Sequence, residues 1–306
     1  MKTALFATLG LLTAADIVFW ARSVRRAGGR GPAGERPAPS AWQLLVGFVT
    51  NFFDTLGIGS FATTTSLFRL RGTVPDQLIP GTLNVGHTPP SVAQAFIYIA
   101  IVSVAMPTLT AMIAAAVIGA WLGAGVVSRW SRPRIQRGMG MALLAAASLM
   151  LMTQLGLVPL GGEALGLSPA RLAVAAAANF ALGALMTLGI GLYAPCMILV
   201  YLMGMDPKAA FPIMMGSCAF LMPVASLRFI RERRYDLPAA VGLGVGGVPA
   251  VLIAAFLVRA LPLGAVRWLV IVVVVYTAVS LLRTAARERR AAARATAAPV
   301  PGPEAA

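Results

Sequence analysis

The chain has 306 residues, of which 58% are hydrophobic and 11% charged, with a mean hydropathy of +0.83. Apolar blocks of about 20 residues, long enough to cross a bilayer, recur along its whole length; this excludes a soluble fold and marks a polytopic membrane protein. The net charge of +15 would suit nucleic acid, but the basic residues gather between apolar blocks, so a nucleic-acid partner is set aside.

Residues 3–21 form a first apolar segment followed by Arg22, Arg25, Arg26 and Arg30. Basic residues follow the apolar run instead of preceding it, and no small-residue cleavage pattern stands after it, so a retained helix is expected. Asp16 lies near its end and is expected to meet water or an arginine. The Gly- and Pro-rich stretch 28–39 reads as a flexible cytoplasmic linker. Residues 41–68 follow, then expected spans at 82–105, 107–128 and 139–158; the second half offers 171–203, then 209–228, 237–258 and 264–282. The tail 284–306 is Ala-, Arg- and Pro-rich and reads as disordered. The resulting division is 1–40 for the first helix and linker, 41–160 and 171–283 for two repeats, and 284–306 for the tail.

The repeats rest on one motif. Thr55-Leu56-Gly57-Ile58-Gly59 returns letter for letter as Thr187-Leu188-Gly189-Ile190-Gly191, an offset of 187 − 55 = 132. The same offset carries Ala62 onto Ala194, Pro75 onto Pro207 and Pro80 onto Pro212, so the halves are read as homologous. Each opens with an apolar segment interrupted by glycines, the pattern that points to the binding site of a repeat-built transporter.

Arginine placement decides whether 41–68 and 171–203 cross the membrane. If both are re-entrant hairpins, 20 basic residues fall inside and 5 outside; if both cross, the split is 15 against 10. The hairpin arrangement therefore wins. Each half then has one hairpin and three crossings, so the halves are inverted. With the first helix there are seven crossings, an external N-terminus and a cytoplasmic C-terminus. The expected fold is an all-α polytopic membrane protein of two inverted repeats plus one N-terminal helix.

A hairpin that turns at membrane depth frees backbone groups that are tolerated only inside protein or beside a polar cavity. Gly57, Gly59, Gly189 and Gly191 allow tight turns and close ligand approach. A half-helix starting after each turn would aim its positive end at the centre, which favours an anion. Candidate substrate-binding residues are Gly57, Gly59, Thr63, Gly189, Gly191 and Tyr193; the competing reading for the glycines is close helix packing. The threonines could instead bond their own helix carbonyls. Asp54 is the only acid in either hairpin, and His87 is the only histidine; both are candidates for proton coupling. Asp54 would repel an anion unless protonated, and His87 equally suits a hydrogen-bonded interior role. One histidine with the dispersed Cys196 and Cys218 makes no metal site and no disulfide framework. No cofactor motif appears in its required context, and Gly242, Gly244, Gly246 and Gly247 inside an apolar span read as packing glycines. An intramembrane enzyme would have to be built on Asp54 and His87, and no catalytic residue is assigned.

The duplicated glycine segment, Pro195 after the second turn, and the connector Arg233-Arg234-Tyr235-Asp236-Leu237 resemble the TauE/SafE family of sulfite exporters over residues 41–283. The chain departs from that pattern at Thr63, which stands where the second half has Pro195, and at the short connector Met106-Pro107. The resemblance implies a permease for a small anion such as sulfite, sulfoacetate or a related organic acid, working by alternating access between inverted halves. An anion channel and a membrane protein without transport are the alternatives. The partners are the anion and the lipid bilayer, with a homodimer left open.

Overall fold

The structure, a computed structural model, describes residues 2–32, 34–157, 162–189 and 191–257, and 268, 271–272, 275–276, 278–279, 282–287 and 290 beyond them. Most of the expected 264–282 span and of the 284–306 tail, with Ile190, lies outside the described residues. The described chain is helical: α1 (Lys2–Arg26), α2 (Ala41–Thr55), α3 (Phe61–Arg71), α4 (Ile79–Gly86), α5 (Thr88–Ile101), α6 (Met106–Val127), α7 (Arg132–Gln154), α8 (Pro169–Met186), α9 (Tyr193–Leu202), α10 (Ala210–Arg231) and α11 (Leu237–Leu257). A single 3-10 turn at Pro207–Ala209 leads into α10. Among the described residues, six helices are long and apolar enough to cross a membrane: α1, α6, α7, α8, α10 and α11.

The 132-residue offset holds at the level of elements. It carries α2 onto 173–187, the place of α8, α3 onto 193–203, the place of α9, and α6 onto 238–259, the place of α11. It carries α4 and α5 together onto 211–233, where α10 runs unbroken. The single helix expected over 82–105 is therefore two. Thr88-Pro89-Pro90 removes two N–H donors and crowds the preceding turn, so the helix breaks at His87. Ala219 takes that position in α10, and the prolines have no counterpart there.

Both glycine-interrupted segments are hairpins closed at the base. Ser40 starts α2 through a capping box with Gln43, with N–H to side-chain distances of 3.3 and 2.8 Å. The helix stops at Gly57 (φ +85°), a left-handed position that glycine adopts without a Cβ clash. After the turn α3 comes back far enough for the Arg71 guanidinium to sit 4.0 Å from the centre of the Trp42 ring. In the second half the end of α9 meets the start of α8, with Arg171 Nη1 3.5 Å from the Met203 carbonyl oxygen. Each segment thus returns to the side from which it set out.

The most extensive helix contacts are reciprocal: α2 lies along α11, and α8 lies along α6, so each hairpin packs on the other half's helix. Small residues make this possible. A Cβ on Gly246 would sit 3.0 Å from the Phe48 backbone nitrogen and one on Gly242 2.7 Å from the Gln43 Cβ, so these two glycines serve close packing, whereas Gly244 has only ordinary contacts. Gly246→Val should lower the unfolding free energy by about 2 kcal/mol through overpacking. Gly10, with nothing within 4 Å of a built Cβ, should accept alanine without loss; melting in detergent compares the two.

Two local expectations change. The 28–39 linker is docked on the bundle: Arg233 Nη2 donates to the Gly31 carbonyl at 3.2 Å, and the Leu237 N–H donates to Glu35 Oε1 at 3.2 Å. Asp16 is buried, and among the described residues it makes no ion pair with an arginine and its Oδ1 has no hydrogen-bond partner. The helix face carrying it, with Leu9, is turned into the protein.

Candidate substrate site

The two hairpin tips meet. Gly59, Ser60 and Phe61 from the first and Gly191, Leu192 and Tyr193 from the second line one small cavity of about 10 Å³, with Asp54, Ser91, Met186 and Cys218 completing the described wall. Phe61 opens α3 and Tyr193 opens α9, so two helix N-termini converge on the same space. Their first N–H groups lack intrahelical acceptors, and their dipoles place partial positive charge there. No lysine or arginine lines the described wall. The partial positive charge facing the cavity therefore comes from backbone, and the volume corresponds to about one water centre.

Beside the cavity a hydrogen-bonded relay joins the halves. Gln94 on α5 donates through Nε2 to Asp54 Oδ2 at 2.8 Å and to Thr55 Oγ1 at 3.0 Å. Its Oε1 accepts from the Tyr193 hydroxyl at 2.6 Å. Asp54, Gln94 and Tyr193 are all buried, so the amide has one orientation that satisfies its neighbours. Ser60 also faces the Asp54 carboxyl. Tyr98 supports the turn from outside the relay, donating to the Thr55 carbonyl at 2.8 Å.

His87 belongs to a different cluster. Asn51 spends its Nδ2 on the Gly47 carbonyl at 2.7 Å, so its Oδ1 must accept from His87 Nδ1 at 3.1 Å. The Thr64 hydroxyl then lies 3.0 Å from Nε2, and Phe61 stacks on the ring with centroids 5.6 Å apart. A neutral imidazole protonated on Nδ1 satisfies every partner. The cluster ties α2 and α3 to the break between α4 and α5.

Residues 2–150 and 171–304 match the family Sulfite exporter TauE/SafE. The chain belongs to that family. No curated protein and no solved structure matches the chain. Sulfite-exporter family membership with six apolar helices makes this a multi-pass membrane protein of a transporter family, in agreement with the sequence reading.

Of the candidate residues, Gly59, Gly191, Tyr193 and Asp54 line the cavity. Gly57 and Gly189 (φ +92°) shape the turns behind it; the nearest neighbours of a Cβ there would be Phe211 at 3.5 Å and Met139 at 3.5 Å. Thr63 is not in the described wall and gives its hydroxyl to the carbonyls of Ser60 at 2.8 Å and Gly59 at 3.2 Å. His87 is buried but not in the described wall; its ring nitrogens face Thr64 and Asn51, whereas Asp54 is hydrogen-bonded to Gln94. Gln94, Ser60 and Ser91 were missed. Gln94 carries a signal, since an amide inside an apolar span demands partners, but it lies outside the duplicated hairpins.

Proposed function

We propose that the chain is a permease for a small oxyanion of the sulfite class, which binds between the N-termini of α3 and α9. The observation that carries this reading is the convergence of those two helix ends on one cavity. Gly59, Ser60, Gly191 and Tyr193 would hold the anion through N–H and O–H donors, as helix N-termini hold oxyanions generally. Because the cavity has room for about one water, the tips must separate to admit substrate. Alternating access supplies that separation, with each hairpin moving together with the opposite half's helix against which it packs.

The reciprocal packing of α2 on α11 and α8 on α6 supports two halves related by an internal two-fold axis. The arginine distribution supports an inverted relation of the halves, an external N-terminus and a cytoplasmic C-terminus. Asp54 is the coupling residue: ionised, its carboxylate competes with the substrate for the same donors, and protonation removes that competition. His87 acts as a brace for the first hairpin.

The test is flux of labelled sulfite, sulfoacetate, thiosulfate and acetate in proteoliposomes under imposed pH gradients. One sulfur oxyanion should move, with counterflow at equal total anion on both sides. Asp54→Asn should abolish accumulation driven by a pH gradient while counterflow persists. Flux of every anion at the rate of empty liposomes would overturn the permease reading, and conductance without counterflow would replace it with a channel.

A further inference from the structure

A second cavity, of about 470 Å³, lies at one end of the bundle between α1 and α10. Its wall includes Arg22 and Arg26 from the last turns of α1, Arg231 from the last turn of α10, Arg233 just beyond, and the apolar Phe19 and Ile230. No acidic residue is among its described lining. Glu232, next in the chain, is directed to Arg129 at 3.8 Å. Four guanidinium groups around one concavity repel each other in the absence of an anion, and they are concentrated here where α1 and α10, both apolar enough to span a membrane, come to an end.

Arg233 supplies an independent observation. Its φ of +52° makes it the one non-glycine residue with a left-handed backbone among those described. The turn closes α10, with the Arg234 N–H on the Phe229 carbonyl at 2.9 Å, a place where helices commonly put glycine. Glycine would take this conformation without a Cβ clash. The chain instead keeps an arginine whose side chain lines the cavity, and among the described residues its guanidinium gives one hydrogen bond, to the Gly31 carbonyl, out of five N–H donors. Strain retained for the sake of a side chain points to a ligand for that side chain.

We propose that this cavity binds the phosphodiester head group of an anionic phospholipid. The arginines take the phosphate oxygens with planar, multiply donating groups suited to them. Phe19, under the Arg231 guanidinium at 5.6 Å, and the exposed Ile17 and Val18 on α1 lie along the path of the acyl chains. Basic pockets between membrane helices at the water boundary are the usual place for such head groups. A bound lipid would clip α1, which stands outside the duplicated halves, to α10 in the second half.

The experiment is thermal melting and native mass spectrometry of the purified full chain in detergent, with phosphatidylglycerol, phosphatidylcholine or inorganic phosphate added. Phosphatidylglycerol should raise the melting temperature and remain bound at one per chain, whereas phosphatidylcholine and phosphate at equal concentration should do neither. Arg233→Gly relieves the backbone, so without lipid it should melt no lower than the native chain. It should nonetheless lose at least roughly tenfold in phosphatidylglycerol affinity, the worth of one charge-assisted contact. The Arg22→Gln/Arg26→Gln double variant should behave alike. Unchanged lipid binding in both variants would overturn the proposal, as would equal stabilisation by inorganic phosphate, which would make this a soluble-anion site.

Discussion

Gly191→Leu is expected to silence anion flux in protein that still folds. A Cβ at this position meets only the Phe61 Cβ, at 4.0 Å, so the backbone has space for a first carbon. A leucine side chain here extends from a residue that lines the cavity, which is about 10 Å³ in volume. The substrate would have to displace packed hydrocarbon and would lose the close approach to the N-terminus of α9. A drop in sulfite flux of at least about 100-fold, near 2.7 kcal/mol, is the expected size. Gly10→Leu on the outer face of α1 serves as the control, and both should elute as the native chain does in size-exclusion chromatography. Flux within twofold of the native chain would make Gly191 a packing residue and move the site elsewhere.

The second large effect is expected at Gln94. Gln94→Leu keeps the volume but deletes hydrogen bonds to Asp54, Thr55 and Tyr193 at once. It takes Gln94 away from the buried Tyr193 hydroxyl and Asp54 carboxyl, and a buried polar group that loses its partner costs more than the missing bond. Destabilisation of roughly 3 kcal/mol is expected, because one of the lost bonds is to a carboxyl group. The diagnostic comparison is Gln94→Leu/Tyr193→Phe. Removing the tyrosine hydroxyl as well takes away one orphan, so the double variant should be more stable than Gln94→Leu alone, a coupling read by unfolding in detergent. Strict additivity of the two changes would mean that the relay does not join the two hairpins.

The duplicated glycines were legible because a repeat survives as letters in register, and because glycine in an apolar block signals a turn or a close approach. That signal located the hairpins to within a few residues, and the element bounds follow the same offset. It could not separate Gly59 and Gly191, which line the cavity, from Gly57 and Gly189, which shape the turns, since that difference depends on where each absent side chain would point. Thr63 bonds carbonyls three and four residues back, the local alternative the sequence also offers, whereas the partners of His87, Asn51 and Thr64, are set by tertiary contacts. The break at His87 is legible in Thr88-Pro89-Pro90 but not in hydropathy, which runs through it smoothly. Gln94 lies 40 positions from Asp54 and 99 from Tyr193, a convergence that no local pattern reports.

Side-specific labelling tests the central claim, two hairpins entering from opposite faces and meeting at one anion site, most directly. Ala41→Cys and Ala170→Cys each place a thiol at an exposed position at the base of one hairpin. The native Cys196 and Cys218 are buried and add little background. With a membrane-impermeant maleimide on sealed vesicles of known orientation, one variant should label from the outside and the other only after the inner face is opened. Labelling of both from the same side would contradict the inverted arrangement and the alternating-access site built on it.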